Sequence, residues 1–157
     1  MPKQSAGILL YRLAGDGLEV LLVHPGGPFW ARKDDGAWSI PKGEVEAGEE
    51  PLGVALHEFE EELGVPPPIA RDALVDLGTV RQKAGKIVAA WCGEGDFDPS
   101  GLESNTFSIE WPPRSGKLKE FPEVDRAAWF GLAEARVKVL EAQVELIDRL
   151  EALLGTR

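Results

Sequence analysis

The sequence predicts an α/β protein in which a mixed β-sheet is packed against helices. Three observations predict it. Short apolar runs of strand type stand both before and after a central helix, and a helical stretch closes the chain. Gly, Pro and polar clusters separate these segments, and no internal repeat or low-complexity tract interrupts them. At 157 residues the chain is long enough to bury a core and too short for two comfortable ones, so residues 1–157 are expected to form one domain.

Ser5 to Leu13 and Leu18 to His24 are apolar enough for two strands, and Gly15-Asp16-Gly17 supplies the turn between them. Pro25 to Gly36, with its glycines, prolines and Arg32-Lys33, is a loop. Trp38 to Gly43 is a strand end and a turn. The central helix is predicted from about Pro51 to Leu63. Pro51 suits a first helical turn, Glu49 and Glu50 favour its positive dipole end, and Gly64 before Val65 and Pro66-Pro67-Pro68 stops it. Leu74 to Arg81 and Lys86 to Trp91 form a hairpin across Lys83-Ala84-Gly85, and Phe107 to Trp111 adds a short strand. A further strand ends at Ala127-Ala128-Trp129-Phe130. From Leu132 to Leu154, Leu132, Ala135, Val139, Ala142, Leu146, Leu150 and Leu153 recur at helical spacing, as one helix or as two broken near Leu140.

The helix carries the chemistry. At about 100° per residue, Leu52, Leu56, Phe59 and Leu63 share one stripe, the expected buried face. Glu58, Glu61 and Glu62 fall together on a flank roughly 80 to 180° away. Like charges at this spacing repel by a few tenths of a kcal/mol per pair, and a bound cation would reverse the sign. Glutamates are also good helix formers, so an acidic face by itself carries little information.

The framing of the helix carries more. The segment resembles the Nudix box, G-x5-E-x7-R-E-U-x-E-E-x-G-U with U apolar. Gly43, Glu49, Glu58, Phe59, Glu61, Glu62, Gly64 and Val65 occupy eight of its nine specified positions, and His57 stands where the box has arginine. The resemblance implies an αβα sandwich and a Mg²⁺- or Mn²⁺-dependent pyrophosphohydrolase acting on a nucleoside diphosphate linked to another moiety. It implies that Glu58, Glu61 and Glu62 hold the metals and that Gly43 contributes its carbonyl oxygen. Hard cations take oxygen ligands and share substrate phosphates, so a few carboxylates on one helix suffice. Within the family the catalytic base comes from the box or from a more C-terminal loop; Glu123 fits that offset best, ahead of Glu120, Glu103 and Glu110.

In the box the arginine orients the glutamates. Imidazole lacks a permanently charged fork, so His57 is expected to be a weaker orienting partner that makes activity more pH-sensitive, or to be an exposed histidine without a role. Lys42, fixed beside Gly43, is the expected phosphate contact. Trp111-Pro112-Pro113-Arg114-Ser115-Gly116-Lys117 is either a substrate platform, with Trp111 on a base and Arg114 on phosphate, or a rigid surface turn. Arg81, Lys83 and Lys86 suit phosphate but also suit a solvated strand edge. Trp38, Trp91 and Trp129 are expected in the core, Trp30 and Trp111 as stacking candidates, and His24 as a polar strand terminus.

The Trp38-Ser39-Ile40-Pro41-Lys42-Gly43 run resembles the corresponding segment of dinucleoside polyphosphate hydrolases, which favours that substrate over nucleoside triphosphates, nucleotide sugars or capped RNA ends. The alternative is a nucleotide-sensing module that kept the fold without turnover.

Seventeen basic against 27 acidic residues give a net charge of −10, which disfavours duplex nucleic acid and leaves small nucleotides as the expected partners. No segment approaches the roughly 18 apolar residues of a membrane span, and the N-terminus lacks a signal-peptide core, so a cytoplasmic protein is expected. Cys92, the single cysteine, sits in an apolar run and is expected to be buried. The amphipathic C-terminal stretch serves packing or dimerisation, and monomer and homodimer both stay open.

Overall fold

A computed structural model describes residues 3–15 and 17–155. Its main sheet has the order β4-β5-β1-β2-β8, with β3 also paired to β1. These strands are β1 (Gln4–Ala14), β2 (Gly17–Pro25), β3 (Lys42–Glu44), β4 (Val75–Arg81), β5 (Ile87–Glu94) and β8 (Val124–Gly131). The β1–β5 pair is parallel and the others are antiparallel, which makes the sheet mixed as expected. Asp16, the middle residue of the expected first turn, lies outside the described residues.

The sheet is covered on both faces, which explains why its central strands are apolar without clean alternation. Ile8, Leu10, Leu21 and Val23 face one core with helix α1 (Pro51–Leu63), through Ala55, Phe59 and Leu63. Leu9, Val20 and Leu22 face the other, with α2 (Leu132–Lys138) and α3 (Val144–Leu154), through Ala135, Leu146 and Leu150. The C-terminal stretch is therefore two helices; between them Val139 and Leu140 are extended, and the segment is tied to Trp38, whose N–H donates to the Lys138 carbonyl and whose carbonyl accepts the Leu140 N–H. Cys92 is buried in the second core.

The site is made where β1 and β2 part. Their pairing runs from Tyr11↔Val20 to Ala14↔Gly17, and beyond Val20 the strand β2 leaves β1. Residues 38–44 fill the gap: Ser39 exchanges backbone hydrogen bonds with Val23, and Lys42, Gly43 and Glu44 pair with Gly7, Ala6 and Ser5. Gln143, buried, locks this seam from the side. Its Oε1 accepts the Ile40 N–H at 3.0 Å, and its Nε2 donates to Ser39 Oγ at 3.0 Å and to Gln82 Oε1 at 3.2 Å.

Several elements differ from expectation. Strand β5 continues past Trp91 to Glu94 because Leu9 to Tyr11 of β1 keep offering it partners. Beside the expected strand β6 (Thr106–Glu110) stands an unforeseen one, β7 (Leu118–Pro122), and the two form a separate antiparallel arm. Most β7 side chains are exposed, so no apolar alternation marks it; pairing with β6 makes it a strand. The Trp111–Lys117 segment is the tip of that arm, and its N–H groups at Arg114 and Gly116 donate to the Glu110 carboxylate.

His24 is also more than a strand terminus. It is completely buried, with Nδ1 2.8 Å from Asp125 Oδ1, Nε2 2.6 Å from the Lys33 carbonyl and its edge against Trp38. It fastens the 26–36 loop to the sheet.

Candidate active site

Helix α1 has the expected bounds but a shifted buried face. Leu52 and Leu56 are half-buried, whereas Val54 and Ala55 join Phe59 and Leu63 inside. At about 100° per residue, the buried arc from Val54 to Leu63 includes Glu58 and Glu62. The helix is turned so because it packs on the edge made by β1 and β3. A Cβ on Gly43 would overlap the Glu58 side chain, so only glycine at that position lets the glutamate lie against the strand. Gly64, with φ of 88°, ends the helix and returns its N–H to the Glu60 carbonyl at 2.7 Å.

Glu62 is 7% exposed and accepts the backbone N–H of Lys42 at 3.2 Å. Burial, followed by the charge of Glu58, raises its pKa from 4.5 to about 8. Burial raises Glu58 as well, reinforced by Glu61 and Glu123. Burial raises Glu123 too, with Glu61 adding to it. Lys42 moves downward, first from burial and then from Lys86. Glu58, Glu62 and Glu123 therefore each feel a neighbouring carboxylate, and the half-buried Lys42 stands beside Glu62.

The backbone holds Glu123 there. The Asn105 N–H donates to the Glu61 carbonyl at 2.9 Å, and the Glu123 N–H donates to the Asn105 carbonyl at 2.8 Å. The β6–β7 arm is thus rooted on the last turn of α1. Glu62, Glu123 and Lys42 line a cleft of about 270 Å³, walled by Trp30, Ile40 and Leu140.

The other anticipated residues are distributed more widely. His57 Nε2 lies 2.8 Å from Glu61 Oε1 on the solvent side of the helix. Arg81 lines a neighbouring and larger cleft. Trp111 stands edge-on to Phe29 at a ring separation of 5.5 Å, and Arg114 sits at the arm's tip with φ of 64°. Neither lines the cleft of Glu62. Glu120 is exposed on the arm, and Glu110 is engaged by the tip's own N–H groups. Trp38 is fully in the core, whereas Trp91 and Trp129 are half-buried. Gln143 escaped the sequence reading because a lone glutamine carries no motif; its spacing on the buried stripe beside Val139 and Leu146 was the available signal.

The donor set suits a hard divalent cation. Among the described residues no three His, Cys, Asp or Glu side chains meet as a ligating cluster. Their present partners explain the spacing: Glu61 leans to His57 and Glu62 to Lys42. Yet a carboxylate as buried as Glu62, facing Glu58 and Glu123, needs a proton or a cation. With carboxylates on three residues of α1 and the Gly43 backbone packed against Glu58, the residues fit a hard divalent cation such as Mg²⁺ or Mn²⁺.

Among the described residues no helix is long and apolar enough to cross a membrane. The chain is 41% identical over 66 residues to an RNA pyrophosphohydrolase of Rhodospirillum rubrum, a match covering 40% of this chain and 38% of that protein. Its fold matches an Ap4A hydrolase of C. elegans, solved as a binary complex, with a TM-score of 0.65 at 22% identity over 96% of this chain and 97% of the other. It matches the NUDIX domain of Shewanella oneidensis NrtR, solved with ADP ribose, with a TM-score of 0.65 at 17% identity over 99% and 90% of the two chains. The family model of the NUDIX domain matches residues 1–150, and with the box on α1 held against Gly43 the chain belongs to the Nudix hydrolase family.

Proposed function

We propose that this protein hydrolyses a diphosphate bond in a nucleoside diphosphate linked to another moiety, using Mg²⁺ or Mn²⁺ held by Glu58, Glu61, Glu62 and the Gly43 carbonyl. The observation that carries the reading is the buried Glu62, which shares one cleft with Glu123 and Lys42. Such cations, when bound, neutralise the diphosphate and activate water. In the reaction, water adds across the P–O–P bridge. One phosphorus gains the hydroxyl oxygen, and the bridging oxygen leaves with the other phosphate.

The side chains divide the remaining work. Glu123 faces the box from the arm, and its raised proton affinity suits it to take the proton of the attacking water. Lys42 places an amine where a phosphate oxygen enters. Trp30 offers an apolar wall on which a base can lie. Trp111 supports that wall indirectly through Phe29, the neighbour of Trp30. His57 holds Glu61 in orientation. Similarity to an RNA pyrophosphohydrolase and to an Ap4A hydrolase favours dinucleoside polyphosphates and phosphorylated RNA ends over nucleotide sugars.

The test is a phosphate-release screen over nucleoside triphosphates, dinucleoside polyphosphates, ADP-ribose and nucleotide sugars, with Mg²⁺ or Mn²⁺. Glu61→Gln and Glu62→Gln are each expected to lower turnover about a hundredfold. Undiminished turnover in both removes the metal assignment. Nucleotide binding without turnover on any substrate would favour a sensing module instead.

A further inference from the structure

The loop of residues 26–36 carries Trp30, the aromatic wall of the carboxylate cleft. Main-chain bonds tie both ends of this loop. The Gly26 N–H donates to the Glu123 carbonyl at 2.9 Å, and the Gly36 N–H donates to the Val137 carbonyl at 3.0 Å. Between these ends the loop is pinned once more, at Lys33, by the buried His24 of β2.

Both ring nitrogens of His24 face oxygen. Nε2 donates to the Lys33 carbonyl at 2.6 Å, because a carbonyl can only accept. Nδ1 stands 2.8 Å from Asp125 Oδ1, an arrangement that places a second proton between the nitrogen and the carboxylate. The fold builds this pair with a bulge. The ladder passes from His24↔Arg126 to Pro25↔Val124, so Asp125 is the extra residue of β8, and its carboxylate turns to the ring. Arg126 lies 3.6 Å from the same carboxylate, and Trp38 packs edge-on against the imidazole. Burying a polar ring is costly unless its partners are provided, and here both are.

Lys33 passes the constraint on to Trp30 by two routes. Its N–H donates to the Trp30 carbonyl at 3.0 Å, closing a turn over residues 30–33. Its ammonium lies 5.2 Å from the centre of the Trp30 ring. A ring ordered in advance loses less freedom when a flat partner stacks on it. We infer that His24, braced by Asp125, is a positioning residue for the substrate's base: acting through Lys33, it holds Trp30 as the stacking face of the cleft. This inference rests on the hydrolase reading of the same cleft and adds which part of the substrate the latch serves, the base and not the phosphate chain.

The test is calorimetry in Mg²⁺ with two probes: α,β-methylene-ATP, which carries a base, and inorganic triphosphate, which does not. His24→Gln should weaken the nucleotide Kd about tenfold and leave that of inorganic triphosphate within about twofold. Trp30→Ala should do the same, and the His24→Gln/Trp30→Ala double variant should bind no more weakly than Trp30→Ala alone, because the two residues act as one unit. A thermal melt checks that each variant folds. Asp125→Ala, at a side chain that is 33% exposed, should show the same pattern at about threefold and carries the test if His24→Gln does not fold. In turnover of diadenosine tetraphosphate the loss should sit in KM with kcat held. The Trp30 indole N–H resonance, assigned by its loss in Trp30→Phe, reads the wall without any ligand and should shift in both variants. Equal weakening on both probes, losses that multiply in the double variant, or an unmoved Trp30 resonance would overturn the inference. A wild type that hydrolyses nothing, while its nucleotide Kd follows this pattern, would instead remove the hydrolase reading and leave the positioning role standing.

Discussion

Replacing Glu62 by glutamine tests the central electrostatic claim without any substrate. In the metal-free protein, burial lifts this carboxyl from 4.5 to about 8. The proton is therefore held more tightly in the folded chain than in the unfolded one. Its stabilising effect is complete below about pH 4.5 and disappears as pH rises toward about 8, because ionisation then favours the unfolded state. Each pH unit inside that window removes about 1.4 kcal/mol, so from about pH 5.5 to about pH 8 the loss is about 3 kcal/mol. For a domain of this size that corresponds to about 6 to 12 °C in Tm. Glutamine keeps an acceptor for the Lys42 N–H and has nothing to ionise. Melts in EDTA over this range should show the variant gaining on wild type by that amount at the alkaline end. Addition of Mg²⁺ should then raise the wild-type Tm more than the variant's. A difference between the two proteins that does not change with pH would refute the buried, uncompensated carboxylate.

Three further outcomes follow from neighbouring contacts. His57→Ala breaks a solvent-side pair with Glu61 at 2.8 Å; it should cost at most about 0.5 kcal/mol in urea unfolding, whereas His57→Arg should flatten the pH–rate profile near neutrality. Identical profiles for wild type and arginine would deny His57 an orienting role. Gly43→Ala pushes the new methyl into Glu58 and should weaken Mn²⁺ binding, read by calorimetry, at least tenfold. Gln143→Met leaves the buried Ile40 N–H without its acceptor and should cost about 1 to 3 kcal/mol in unfolding, with kcat falling as the Lys42 strand loosens.

What the sequence made legible was local chemistry. Pro51 and Gly64 bounded α1 correctly because a missing N–H and a left-handed cap act within a few residues. The two-faced burial of β1 and β2 was readable from unbroken apolar runs. The exact face of α1 was less so. The leucines marked one stripe, but packing with Ala6, Ile8, Leu10, Leu21 and Val23 placed Val54 and Ala55 inside, and Glu62 was drawn in to the Lys42 N–H, a decision made by residues far away in sequence. The β7 strand and the Gln143 network were hidden for the same reason: one is stabilised by its partner strand and the other by three distant segments. Trp111 and Arg114 carried a promising composition; neither lines the Glu62 cleft, and Trp111 stands against Phe29.

The rotation of α1 also explains a feature that local reasoning would count as a defect. An isolated helix gains nothing from three neighbouring glutamates, and burying one of them opposes folding further. The fold accepts that cost at a particular place, where β1 and β2 separate and the chain from Trp38 to Glu44 closes the gap. There the backbone at Lys42 and Gly43 approaches the helix closely enough to touch Glu62 and Glu58, and the arm brings in Glu123. A sheet whose strands stayed paired to their ends would have no room for this convergence. On the proposed metal reading, a cation bound there would take over the neutralisation that a proton otherwise gives Glu62, so its affinity would be linked to the folding of this seam.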